Sequence, residues 1–471
     1  MVAISSLVLA GGVMVPAAQA AMVPDASVKA WASTQGLVTN GDFTSTLSRS
    51  TGSVILWRYA GLFSKQIWRG PQKTDCFTDS AFKALDEGTR RDICWLADRG
   101  VAAGAGGAFN PSSALTRGAF ATFLARYVDG VMGQPAVASC ASTDKPFDDV
   151  PSSNTHCRGI KWFKATGLAS MFTSTKLFSP DAAVTRGEAI EVLYRLAHVQ
   201  ASTYNVRKAD HPSDQTTAAK LWANRVPNVV NEIVAAHPDV IGIQEAINKS
   251  HAGAIQFQDL LTKLNARGVT YADAGLVSGD GMAHILYNTA TITKAPTPNA
   301  SATNLTTYGC PETGRALLQI DLVDRFTGRS FTFATTHLCA DQRSGTSSVK
   351  YQEAVAIGGA LRNTLPTILV GDFNHDPTLG AYDPYSYLTT GSIAKGKLSD
   401  AVRVSTSGAS NTRPPTWNNW GTGQSSYDSI FLRAAGSRSI RVDSWFNKAP
   451  KYVTTNLASD HCLLSAGIWV A

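Results

Sequence analysis

Charged residues are scarce in this chain of 471 residues, with Asp, Glu, Lys and Arg together making up 16%. Hydrophobic residues supply 44% and no long polar tract occurs, which excludes a disordered, solvating chain. A strongly basic half is also missing. Lys and Arg exceed Asp and Glu by four over residues 1–198 and by three over residues 199–471, so the net charge of +7 is spread along the chain. That excludes a nucleic-acid module working by bulk charge alone. Beyond the N-terminus no apolar run approaches the length that spans a bilayer, so the mature chain is expected to be soluble. Neither Cys-x-x-Cys pairs nor Cys/His groupings of zinc spacing occur, which leaves stapling as the expected role of cysteine.

The length calls for two domains or more. The first residues read MVAISSLVLAGGVMVPAAQA, an apolar run ending in Ala18, Gln19 and Ala20, the small-x-small pattern of a signal-peptidase site. Residues 1–20 are therefore expected to be a removed secretory signal, although no Lys or Arg stands near Met1. Export permits disulfides, and the seven cysteines group as Cys76 with Cys94, Cys140 with Cys157 and Cys310 with Cys339, leaving Cys462 odd.

Three segments of the first half align with one another. Trp31, Trp95 and Trp162 each precede a glycine by five residues, at Gly36, Gly100 and Gly167. Phe43, Phe109 and Phe178 follow, then Arg49, Arg117 and Arg186, the arginines standing 68 and 69 residues apart. Each unit reads as a short helix, a glycine loop and a second helix capped by Ser48, Thr116 or Thr185. With CFTDS and PFDDV opening the second and third units, residues of about 25 to 198 resemble a set of three S-layer homology repeats. The resemblance implies binding to a cell-wall polymer through the arginine of a T-R-x-E motif. Only the third unit keeps it, as Thr185, Arg186, Gly187 and Glu188; the second has Ala119 for Glu beside Arg117, and the first reads SRST. Arg117 and Arg186 are the candidate wall-binding residues, and a purely structural trefoil is the competing reading.

From Val199 the pattern changes to strands alternating with helices, one of them VPNVVNEIVAAH with Pro227 expected in its first turn. In TILVGDFNHDP, Thr367 to Pro377, a buried-strand signal runs into Asp372 and Asn374. Residues two apart on a strand point to one face, so this acid and this amide can converge on one small target, while His375 is expected at the surface. An ordinary turn is the alternative. Asn205, Glu245, His337, Asp428 and the pair Asp460 and His461 stand in the same way at strand ends.

Through YNVR, IQEA, TTHL, GDFN, YDSI and SDH, residues 199–471 resemble the endonuclease/exonuclease/phosphatase superfamily. The implied fold is α/β (α+β), a four-layer α/β sandwich of the deoxyribonuclease I-like type behind an N-terminal all-α repeat domain. The implied activity is metal-dependent phosphoric ester hydrolysis. Glu245 is the expected ligand of Mg²⁺, with Mn²⁺ or Ca²⁺ as alternatives, Asn205 alongside and Asp460 completing the metal region. Asp372 would orient or deprotonate water, Asn374 hold a phosphate oxygen, Asp428 fix the tautomer of His461, and His337 contact phosphate or protonate the leaving oxygen. Arg315 is a candidate phosphate contact, with a structural ion pair as the alternative. Abasic-site endonucleases of the superfamily usually carry a lysine where Ile247 stands and lack the histidine of TTHL, which points to the secreted nuclease, sphingomyelinase and polyphosphate-phosphatase branches. The loop NTRPPTWNNWGTG offers Arg413, Trp417 and Trp420; Trp417 is a candidate for stacking on bases, unless the loop folds on a core of its own. The leading expectation is a secreted, wall-associated extracellular nuclease. A sphingomyelinase or phospholipase C-type enzyme, a phosphomonoesterase, and a wall-binding protein with an inactive hydrolase domain are the alternatives.

Overall fold

The computed structural model describes residues 26–39, 41–63, 73–134, 138–173, 176–277, 282–340, 343, 345–406, 410, 413–421, 423, 425–448 and 457–471, so the expected signal at residues 1–20 lies outside the described residues. Up to Ala197 the long elements are helices. Ser48, Thr116 and Thr185 cap the helices Arg49–Gly61, Arg117–Gly130 and Arg186–Ala197, each accepting from the N–H three residues on; Thr185 and Glu188 complete a capping box. The three capped segments close on one another like the sides of a triangle. Leu115 N–H donates to the Leu47 carbonyl, Leu47 to Val184, and Val184 to Leu115, at 2.8, 2.8 and 2.9 Å.

The repeat arginines continue that rotation. Arg49 donates to the carbonyls of Ala103 and Phe109, Arg117 pairs with Glu188 at 2.9 Å, and Arg186 donates to the Asp42 carbonyl at 2.8 Å. Each thus clamps its own repeat to the next. Arg117 makes this contact through Nη2, its Nε buried without a hydrogen bond among the described residues, and Arg186 also lines a groove of about 320 Å³ with Arg58. Disulfides join Cys76 to Cys94, Cys140 to Cys157 and Cys310 to Cys339, with Cys462 free and buried.

Only His198 separates the last helix from the first strand. The strands are β1 (Val199–Asn205), β2 (Val240–Gln244), β3 (Ser250–His251), β4 (Ala254–Ile255), β5 (Tyr271–Asp273), β6 (His284–Asn288), β7 (Ile292–Lys294) and β8 (Ala300–Asn304). They continue with β9 (Ala316–Asp324), β10 (Ser330–His337), β11 (Thr367–Asp372), β12 (Ser399–Asp400), β13 (Asp428–Arg433), β14 (Ile440–Lys448) and β15 (Leu463–Val470). One sheet runs β14-β15-β1-β2-β6-β5 and a second β12-β13-β11-β10-β9-β7, with β8 also on β9.

Their facing sides bury Val199, Ala201, Ile320, Phe333, Val370 and Ile430 among others. Helices Trp222–Ala236 and Gln256–Asn265 cover the first sheet, and Val349–Ala360 and Pro384–Thr390 the second, giving four layers. The helix expected at Val226 begins earlier, at Trp222, because the apolar stripe of Val226, Val229, Val230 and Ile233 extends back to Trp222; Pro227 is exposed and lies beyond the first turn. Gly242 sets how closely the sheets approach, since a Cβ there would stand 2.3 Å from Thr335 Oγ1. The helical unit packs on the sandwich: Phe326 enters its core against Trp162, and Tyr194 donates to Ser444 Oγ at 2.8 Å. Among the described residues no helix is long and apolar enough to cross a membrane.

Candidate active site

Strand direction gathers the polar strand ends. β1 runs parallel to β2 and β10 parallel to β11, so Asn205, Glu245, His337 and Asp372 all arrive at one end of the sandwich. β13 and β15 run antiparallel to β11 and β1, so their first residues, or those just before them, reach the same end: Asp428, Asp460 and His461. Glu245, His337, Asp372, Asp460 and His461 line a cleft of about 710 Å³, with Asn205 and Asp428 fully buried beside them.

Local geometry holds each group. Gly371 has φ 152° and a Cβ there would stand 2.1 Å from the Thr336 carbonyl oxygen, so the residue before Asp372 must be glycine. Glu245 and Asn374 adopt left-handed φ of 61° and 46°, a conformation strained for Glu and tolerated by Asn. Backbone donors secure both acids: Lys208 N–H to Glu245 Oε2 at 3.0 Å and Asn374 N–H to Asp372 Oδ1 at 2.9 Å. Ser459 ties the end of β1 to the last motif by donating to the Asn205 carbonyl at 2.6 Å and accepting from His461 N–H at 3.2 Å.

Asn205 Nδ2 lies 3.1 Å from both Glu245 Oε1 and Asp372 Oδ2. Asp372 Oδ2 is also 3.4 Å from His337 Nε2 and 3.7 Å from His461 Nε2, while His461 Nδ1 meets Asp428 Oδ2 at 2.9 Å. Burial works against charge on Glu245, yet His337, the Lys208 N–H, Asn205 and Arg207 hold its carboxyl well below the usual carboxylate range. The two histidines diverge. Burial and the Arg315 guanidinium push His337 down to about 4, whereas Asp428, Asp372 and Asp460 overcome burial at His461 and raise it to about 10.

Glu245 and Asp372, brought together by the N–H donors of one amide, and Asp460 in the same cleft offer the carboxylate oxygens that fit a divalent cation such as Mg²⁺. Asp372, Asp428 and His461 also place ligand atoms within 4.8 Å of one another. Asp460 faces Arg207, whose Nη1 is 3.1 Å from Asp460 Oδ2 and whose Nε is 2.9 Å from Asp214. Arg315 is buried at the cleft with Nη2 on Glu312, while its Nε and Nη1 have no hydrogen bond among the described residues. Asn374 Nδ2 donates to the Leu338 carbonyl at 2.8 Å, so part of this amide serves the loop. Trp417 lines the cleft, its ring 5.4 Å from that of Tyr427.

His375 corrects an expectation. It is not on the surface but in the cleft wall, its Nδ1 2.6 Å from the buried Asp383, because the chain turns sharply after Asn374 and ends the strand alternation. Arg207 and Lys208 also line the cleft and received no role from the sequence; the arginine of YNVR was the available signal.

The model of the Endonuclease/Exonuclease/phosphatase family matches residues 202–461. The chain belongs to that family. As a member of the endonuclease/exonuclease/phosphatase family it is a metal-dependent phosphoric ester hydrolase. The S-layer homology model matches residues 88–121, within the helical unit. An endonuclease/exonuclease/phosphatase from Bacteroides vulgatus is 21% identical with a TM-score of 0.46, covering 58% of this chain and 99% of its own. A D. rerio TDP2 structure complexed with single strand DNA product is 18% identical at 0.44, covering 58% and 99%. The human Nocturnin catalytic domain with bound sulfate is 20% identical at 0.42, covering 58% and 95%. No curated protein matches.

Proposed function

We propose that this family member is a secreted, cell-wall-associated, Mg²⁺-dependent phosphodiesterase that cuts nucleic acid. The observation that carries the reading is the shared position of Glu245 and Asp372 around Asn205, with His461 held between Asp372 and Asp428. Glu245, with Asn205 and Asp460 nearby, would hold the cation, which supplies a Lewis acid toward a phosphoryl oxygen when bound. Asp372 takes the proton of the attacking water. His461, cationic and fixed by Asp428, lies where negative charge develops on the phosphate. Arg315, His337 and Asn374 flank the phosphate oxygens, and one histidine protonates the leaving oxygen as its bond to phosphorus breaks.

Nucleic acid is favoured over lipid by the cleft itself. Arg207, Lys208, Arg315 and Arg413 line it together with Trp417, which offers a stacking face beside cations. Wall association rests on the S-layer homology unit and the Arg186 groove. The test is hydrolysis of DNA, RNA, sphingomyelin vesicles and phosphorylated inositols with and without Mg²⁺. Metal-dependent cleavage of DNA or RNA supports the reading, and rapid cleavage of sphingomyelin or a phosphomonoester with none of nucleic acid overturns it.

A further inference from the structure

Beside the reacting groups the cleft wall carries two guanidinium groups and an imidazole that a single phosphate at Asp372 does not need. They gather around the buried ring of Tyr385, in the helix Pro384–Thr390. The Arg413 guanidinium lies 4.7 Å from the ring centre, that of Arg403 5.1 Å, and the His375 imidazole 5.2 Å. A guanidinium laid over an aromatic ring is held in place without using its N–H donors.

Those donors are open. Arg403 is exposed, lines the cleft and makes no hydrogen bond or ion pair to any described residue. Arg413 is anchored through Nη2 on the Asp428 carbonyl and Ser429 Oγ, both at 2.6 Å, with Nε 3.8 Å from Asp400, while Nη1 is buried without a hydrogen bond among the described residues. Asp383 fixes the third group. It accepts the N–H of Asp376 at 2.7 Å and of Ser386 at 3.1 Å, and takes His375 Nδ1 at 2.6 Å, which leaves His375 Nε2 as the free edge of the ring. Of the facing acids, Asp383 is buried with the partners named, Asp400 is buried with Oδ1 on the Val402 N–H at 3.3 Å and Oδ2 without a hydrogen bond among the described residues, and Asp376 is bonded to Thr378 N–H and Oγ1 at 3.0 and 2.6 Å.

We infer that His375, Arg403 and Arg413 form a second phosphate subsite, so that the preferred substrate carries another phosphate beside the one that is cut. The inference rests on the phosphodiesterase reading above. Bidentate guanidinium donors suit a phosphate, and Arg413 connects the subsite to the reacting centre through the backbone of Asp428. The second phosphate could belong to a polynucleotide or to a small bisphosphate, and the assay separates these sources.

The experiment compares the full chain with Arg403→Ala and His375→Gln on the dinucleotides pTpT and TpT, an inositol bisphosphate, and bis(p-nitrophenyl) phosphate, which has a single phosphate. Wild type should favour pTpT over TpT, and each variant should raise KM for pTpT about 10-fold, equivalent to ~1.4 kcal/mol, while leaving bis(p-nitrophenyl) phosphate unchanged. A selective effect on pTpT assigns the subsite to polynucleotide, and one on the inositol bisphosphate alone assigns it to a small molecule; both support it. Equal losses on all substrates, or none, overturn it. If wild type cuts nothing, the phosphodiesterase reading fails. The subsite is then judged by pTpT binding to metal-free protein, where unchanged affinity in Arg403→Ala rejects it.

Discussion

Asp372 and Asp428 are direct neighbours across the antiparallel pair β11 and β13, and His461 touches both, its Nδ1 2.9 Å from Asp428 and its Nε2 3.7 Å from Asp372. Two buried carboxylates side by side repel, and a cation between them relieves the repulsion. His461 and Asp428 should therefore act as one unit. His461→Ala and Asp428→Asn are each expected to lower kcat on bis(p-nitrophenyl) phosphate by ~100-fold or more, with the double variant scarcely worse than either. Additive losses would show that the two act separately.

Much of this arrangement was legible in the sequence, because each polar residue ends or opens a strand whose apolar pattern is clear. Asn205, Glu245, His337, Asp372, Asp428 and His461 meet as the motifs implied, and Ser48, Thr116 and Thr185 cap their helices. What sequence periodicity could not show depends on chain reversal and on long-range contacts. His375 turned inward because the strand ends at Asp372; Asp460 meets Arg207 across more than 250 residues; and the repeat arginines close a triangle. Phe326 of the sandwich joins the core of the helical unit against Trp162, a contact between distant segments that periodicity does not carry.

That shared core sets a stability prediction. Phe326→Ala removes a buried ring standing 5.9 Å from Trp162 and is expected to cost about 3–5 kcal/mol. Calorimetry of the full chain should show one transition at a lower Tm. Two separate wild-type transitions, only one of them moved by the substitution, would contradict coupling of the units.

Burial pushes the Asp239 carboxyl up from 3.8 to about 7, against hydrogen bonds from the Gln200 N–H and Thr291. The folded state thus prefers the protonated acid. Its contribution to stability is fully present below the unfolded value near 3.8 and is lost as pH rises through about 7. Asp239→Asn should flatten that loss, narrowing the difference in unfolding free energy between pH 4 and pH 8, read from denaturant titrations, by on the order of a few kcal/mol. A variant with the same pH dependence as wild type would contradict the assignment.

Arg186 belongs to a groove far from the chemistry. Arg186→Ala should weaken pull-down by purified cell wall while leaving turnover on bis(p-nitrophenyl) phosphate unchanged. Undiminished wall binding would restrict this arginine to its contact with Asp42.

The most direct test of the account is hydrolysis of bis(p-nitrophenyl) phosphate by the full chain under metal control, with Glu245→Gln alongside. EDTA should abolish activity, added Mg²⁺ should restore it, and Glu245→Gln should fall ~1000-fold at the same Mg²⁺ with its fold intact by circular dichroism. Full activity of Glu245→Gln, or hydrolysis indifferent to EDTA, would contradict a cation held at Glu245 as the centre of this site.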